Sequence, residues 1–177
     1  MKNTENLDQA MEALKKIFIE NIDAGLDAFI EASTGKPGIN TDIYHARFRS
    51  IAQKNRDACI KLFDDNVELI KQLNEKHSKD YQAGLNHYIN GTEALMEANI
   101  AKIRNGDPMD DNTADIDKLS RETKDLLKSA NDFQAISEML LRTEFMHKAE
   151  VIIQQFCQEG EIIIAMYTKG ELTPEVN

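Results

Sequence analysis

Tryptophan is absent from this chain, proline occurs three times, glycine eight times, and aromatic residues make up 6% of its 177 positions. Sandwiches and barrels need many turns and aromatic or β-branched strands, so this shortage argues against them and for helices. Cysteine occurs twice. Cys59 and Cys157 lie in helical patterns without CxxC spacing, and they read as reduced, half-buried residues of a cytosolic protein. Long apolar runs are missing too. The longest aliphatic stretch, residues 162–166, is far too short to span a bilayer. Residues 1–14 are polar and charged with no apolar core, so no signal peptide is expected. Positive charge is in deficit: 21 Lys and Arg stand against 31 Asp and Glu, a net −10. Such a surface repels phosphate backbones and argues against nucleic-acid binding. The local basic group Arg47, Arg49, Lys54, Arg56 and Lys61 reads as a solvated face opposed by acids elsewhere.

What is present is helical periodicity. Residues 41–104 hold no proline and only two glycines, Gly84 and Gly91. Their apolar positions recur at helical spacing throughout. The stretch reads as one very long helix of about 96 Å if unbroken, with Asn90-Gly91-Thr92 as its weakest point and the place for a kink. A rod of that length cannot bury itself, so other segments must fold back along it or a second chain must cover it.

The period is informative. Phe48, Cys59, Ile70, Tyr81 and Thr92 are spaced by eleven, as are Ile51, Leu62, Leu73, Gly84 and Leu95. Eleven residues make three turns at roughly 3.67 per turn, which favours straight packing over a left-handed heptad coil. A third series of the same step, Asn55, Asn66, His77, Tyr88 and Asn99, is polar. Its members lie at the margin of the stripe, or Asn55, Asn66 and His77 set the register between helices as a buried Asn does in coiled coils.

The remaining chain follows the same plan. A first helix covers about 4–32, capped by Asn3 or Thr4, and its stripe repeats the eleven-residue step in Leu7, Phe18 and Phe29. Residues 33–40 (STGKPGIN) are the clearest break, after which Asn40 or Thr41 caps the long helix. Residues 105–113 (NGDPMDDNT) are the second, and their acids suit a helix entry better than a calcium loop, since the EF-hand spacing is missing. Helical pattern then runs over about 114–169, with 129–132 either capping a new helix or passed through. Residues 170–177 form a frayed tail. The whole is expected to be one all-α domain, an elongated helical bundle of coiled-coil-like character. Within 133–166 the apolar content rises, and Met139, Met146, Ile153, Gly160 and Tyr167 fall seven apart. This part is the central buried helix or carries an exposed sticky face. Ile136, Met139, Leu140, Met146, Ile153, Phe156 and Ile163 are the candidates for that surface.

Catalytic signatures are lacking. Glu144 and His147 form an ExxH, but a di-iron bundle needs a second ExxH and further helical glutamates. There is no GxSxG, no Rossmann fingerprint and no His at a recognisable distance from either cysteine. No enzyme activity, cofactor or metal is expected.

Two stretches resemble the phasins, bacterial proteins that coat polyhydroxyalkanoate storage granules. The first is Gln53-Lys54-Asn55-Arg56-Asp57-Ala58, continuing through Asn66, Glu68 and Leu69. The second is Ala130-Asn131-Asp132-Phe133-Gln134, followed by Phe145, Glu150 and Phe156. The likeness spans roughly 48–161, and Arg56 and Cys59 stand where that family usually has leucine. The resemblance implies a non-catalytic amphipathic coat, cytoplasmic and granule-associated, whose partner is a hydrophobic polymer surface. Burying about 1,000 Å² of apolar surface there would yield on the order of 25 kcal/mol before ordering costs. The alternatives are a soluble scaffold or chaperone-type module that packs against partner helices in a homo-oligomer, and a metal- or ligand-binding bundle.

Overall fold

The computed structural model describes the backbone of residues 2–35 and 41–170, and the side chains of 8–35 and 41–170. Among the described residues the chain is all-α, with three helices and no strand. They are α1 (Lys2–Ala32), α2 (Thr41–Asn105) and α3 (Thr113–Lys169), and the long α2 packs against both others. α1 already includes Asn3 and Thr4, so the cap expected at one of them is corrected: both lie inside the helix. The cap expected at Asn40 and the tail at 171–177 lie outside the described residues. Of the alternatives left open by the sequence, the structure takes the continuous one twice: α2 runs unbroken through Asn90-Gly91-Thr92, and α3 passes through 129–132 as one helix. The Thr92 hydroxyl donates back to the carbonyls of Tyr88 and Ile89, both at 2.9 Å, so the threonine is satisfied within the helix.

The chain packs as two compact units: Met1–Leu69 with Arg142–Asn177, and Ile70–Leu141. Both draw on α2 and α3.

Unit 1 is a three-helix bundle in which the eleven-residue repeat becomes a core. On α2 the buried residues are Tyr44, Phe48, Ala52, Asn55, Cys59, Phe63 and Asn66, spaced 4-4-3-4-4-3. On α3 they include Phe145, Phe156 and Tyr167, each eleven apart; Met11 and Ile22 of α1 and Ser33 just past its end are also eleven apart. A 3.67-residue turn keeps such positions on one line, whereas a strict heptad drifts around a straight helix by about 20° per repeat. This is why the seven-residue series of α3 does not share a face: Met139 and Met146 are exposed, whereas Gly160 and Tyr167 are buried.

Aromatic rings set the register across these helices. Phe63 lies edge-on between Phe18 (5.5 Å) and Phe145 (4.9 Å). One repeat further along, Phe29 contacts Phe48 (5.4 Å) and Phe156 (5.5 Å), and Tyr44 meets Tyr167 at 5.1 Å. Each such pair adds about 0.5–1.5 kcal/mol beyond its buried area. Two glycines admit the rings. A Cβ on Gly25 would come within 2.7 Å of the Phe156 ring, and one on Gly160 would overlap the Phe29 ring. α1 and α3 therefore exchange knobs, phenylalanine of each against glycine of the other. Ion pairs join the margins: Arg56 with Asp23, Lys15 with Asp64 and Lys54 with Glu159. Part of the basic group is thus paired with acids of other helices, as its reading as a solvated face required.

Unit 2 is a two-helix hairpin. Gly106 (φ +84°) ends α2 in a left-handed conformation. The N–H of Asp107 donates to the carbonyl of Lys102 (2.9 Å) and that of Gly106 to the carbonyl of Ile103 (3.1 Å), which closes the last turn as a Schellman motif. The Asn99 amide then clamps the loop, donating to the carbonyl of Asp110 (3.2 Å) and accepting its N–H (2.8 Å). Asp111 caps α3, accepting from the N–H and the hydroxyl of Thr113 at 3.0 and 2.5 Å. The acidic helix entry expected at 107–112 is realised in this residue.

The hydroxyl and N–H of Thr113 hold the Asp111 carboxyl below the usual carboxylate range. A lowered folded-state pKa contributes stability above the ordinary value of about 4, and that contribution is lost as pH falls through the lowered one. Amide protection over residues 113–116 is therefore expected to drop on acidification in that range. In Asp111→Asn, which keeps an acceptor but does not titrate, the drop disappears.

Candidate functional site

What distinguishes unit 2 is how little it buries. Its buried residues are few: Leu73, Gly84, Thr123 and Ala130. Polar pairs join its helices along the exposed margins of the contact. His77 Nε2 meets Asn131 Oδ1 at 2.9 Å, Gln134 Nε2 donates to Asn74 Oδ1 at 3.2 Å, and His87 Nε2 meets Glu122 Oε2 at 3.1 Å. The apolar part of the contact is leucine against glycine, Leu127 over Gly84 and Leu119 over Gly91. Gly91, read from the sequence as a weak point, is a notch that lets α3 approach.

Large apolar side chains meanwhile stand outside. On α2 they are Tyr81, Ile89, Met96, Ile100 and Ile103, and on α3 Ile116, Leu126, Phe133, Ile136, Met139 and Leu140. Met96 is 64% exposed and Ile136 56%. A surface residue of this kind needs no explanation singly, whereas eleven on one hairpin make a candidate contact surface. On α3, Phe133, Ile136 and Leu140 fall at i, i+3 and i+7 and share one side of the helix. Lys76 lies 4.2 Å from the centre of the Phe133 ring, so part of that ring is capped by a cation.

The seven apolar candidates separate accordingly. Ile136, Met139, Leu140 and Met146 are exposed. Phe156 and Ile163 are 3% and 6% exposed and belong to the core of unit 1, and Ile153 packs against that core half-buried. These three are corrected from surface to interior. A local apolar count shows that α3 is greasy all round after residue 150. It does not show that α1 lies on that side and covers it. The same counting undervalued α2, whose exposed Ile89, Met96, Ile100 and Ile103 carry the repeat and were detectable by it.

The polar candidates also divide. Asn55, 2% exposed, donates from Nδ2 to the carbonyl of Ile51 on its own helix at 2.8 Å. It is buried rather than marginal, and its bond is spent within α2, so register in unit 1 is carried by the aromatic layers. Asn66 is buried as well. His77 alone of the three is seen bonding across helices, to Asn131.

The residues weighed for chemistry are engaged otherwise or lie apart. Glu144 pairs with Lys148 at 2.6 Å, and that bond lowers its pKa. His147 beside it is exposed. Burial pushes the Cys59 thiol up, away from the thiolate a nucleophile needs, and Cys157 is exposed and unpaired with it. Among the described residues no group of three His, Cys, Asp or Glu side chains is placed to hold a metal ion. No described helix is long and apolar enough to cross a membrane. No protein-family model, curated protein or solved structure matches the chain.

Proposed function

We propose that this chain is a non-catalytic contact protein that adsorbs to an apolar surface through the α3 side of its hairpin, as a phasin-like coat on polyhydroxyalkanoate granules in the cytoplasm. One observation carries the reading. Unit 2 buries few residues and leaves many of its large apolar side chains outside. A hairpin selected only to be a stable domain gains by the reverse arrangement, because each aliphatic side chain taken out of water is worth about 1.5–3 kcal/mol. The second phasin-like stretch, 130–134, contains the exposed Phe133. The net charge of −10 suits a particle coat, since like-charged particles repel.

Adsorption of the purified chain to polyester particles tests this. Ile136→Glu with Leu140→Glu alters exposed positions only, so the fold should persist by circular dichroism. The pair is expected to weaken adsorption at least tenfold, the equivalent of about 1.4 kcal/mol. A native chain that neither adsorbs nor lowers interfacial tension would remove the proposal.

A second reading, a protein-interaction module that packs against helices, is favoured by a different feature. The exposed side chains of α2 keep a strict helical repeat, and a polymer surface does not require one.

A further inference from the structure

We infer that α2 of unit 2 pairs with α2 of a second copy of this chain, antiparallel, about a two-fold axis at Thr92. The surface is distinct from the α3 side chains assigned to adsorption and does not depend on that assignment. Tyr81, Leu85, Ile89, Met96, Ile100 and Ile103, with Thr92 at the centre, are spaced 4-4-3-4-4-3. Five are exposed, and Leu85 and Thr92 are half-buried. This is the spacing of the buried α2 residues in unit 1.

Three observations select a second copy. First, the repeat states what kind of object fits. Tyr81 and Met96 follow Phe48 and Phe63 by three repeats of eleven, and at Phe48 and Phe63 the occupants are Phe29 and Phe18 of α1, a helix antiparallel to α2. The same positions in unit 2 are therefore shaped for an antiparallel helix with apolar residues eleven apart. Second, the stripe is itself such a helix and is self-complementary. Reversed about Thr92, Tyr81 falls opposite Ile103, while Leu85 and Ile89 fall within one residue of Ile100 and Met96. A two-fold contact demands that correspondence. Third, residues 81–101 carry only Glu93 and Glu97 as ionised groups, against 29% charged residues in the chain. Both glutamates lie beside the stripe, so pairing desolvates no charge within it.

The size of the contact sets its strength. From Tyr81 to Ile103 the helix rises about 33 Å, and a face about 10 Å wide gives on the order of 700 Å² over both partners. Stable interfaces bury about 1,200–2,000 Å², so this pairing is weak and reversible.

Sedimentation of the full chain is expected to show a monomer–dimer equilibrium between micromolar and roughly millimolar concentration. Met96→Glu with Ile100→Glu should leave a monomer of unchanged helicity over the same range. In a Cys157→Ser background, Thr92→Cys should cross-link between copies with a short bismaleimide, and Lys124→Cys, exposed on α3, should not. A chain monomeric throughout, a dimer indifferent to the double substitution, or equal cross-linking at 92 and 124 would each overturn the inference. The Met96/Ile100 variant should still adsorb to polyester particles, so loss of pairing and loss of adsorption are separable results.

Discussion

Phe63→Ala is expected to cost about 4 kcal/mol of stability, the upper part of the range for a fully buried phenylalanine. Phe63 is 1% exposed and makes two edge-on ring contacts, to Phe18 of α1 and Phe145 of α3. Truncation removes the transfer energy of the ring, leaves a cavity between three helices and breaks both aromatic pairs at once. The neighbouring rings are themselves locked, Phe18 and Phe145 by the glycine-notched approach of α1 to α3 one repeat away, so the site collapses poorly. Urea unfolding followed by helical circular dichroism checks it, as a fall in midpoint with the slope preserved. A loss below about 1 kcal/mol would mean that the three-helix core is not packed as described.

Gly160→Ala and Gly91→Ala are expected to change stability in opposite directions. On helix propensity alone either substitution should stabilise by about 1 kcal/mol. At Gly160 the new Cβ overlaps the ring of Phe29. That ring is stiff and held between Phe48 and Phe156, so relief requires moving a helix. Overpacking of this kind costs about 1–3 kcal/mol, and the net result is a loss of about 1–2 kcal/mol. At Gly91 the new Cβ meets the terminal methyl groups of Leu119, 2.6 and 2.7 Å away. Those are the far end of a flexible side chain beside solvent and can rotate off. Gly91→Ala therefore leaves stability unchanged or raises it by up to about 1 kcal/mol. Thermal melts of the two variants separate the cases by sign. A stabilising alanine at 160 would show that α1 and α3 do not interlock as phenylalanine against glycine.

Much of this architecture was legible before any coordinates. The two breaks at 33–40 and 105–113 follow from glycine, proline and asparagine, whose backbone preferences act locally. The eleven-residue step in Phe48–Cys59 and Phe18–Phe29 predicted straight packing, and those residues form or line the core of unit 1. The acidic turn at 107–112 was read as a helix entry, and Asp111 performs that task. Other readings failed for identifiable reasons. Asn55 was a candidate for interhelical register, yet a side-chain amide on a helix can always reach the carbonyl four residues back, and nothing local reveals which bond is taken. Because glycine weakens a helix, Gly91 reads from the sequence as the weakest point of the long helix, which leaves open whether the helix kinks there. Its use here is to be small beneath Leu119, and the leucine is 28 positions away in the chain.

The candidate surface shows the same division. Phe156, Ile163, Ile136 and Leu140 are equally apolar, and their helix is amphipathic in the same loose way. Apolar periodicity depends only on the 100° turn per residue, so it reports where a stripe is and never whether something lies on it. Helices, their ends and their greasy sides were thus settled by local composition. Which sides are covered within unit 1 was settled by the placement of α1, whose rings reach Phe48, Phe63 and Phe156. Burial is a relation between segments far apart in the chain, and it belongs to the folded arrangement alone.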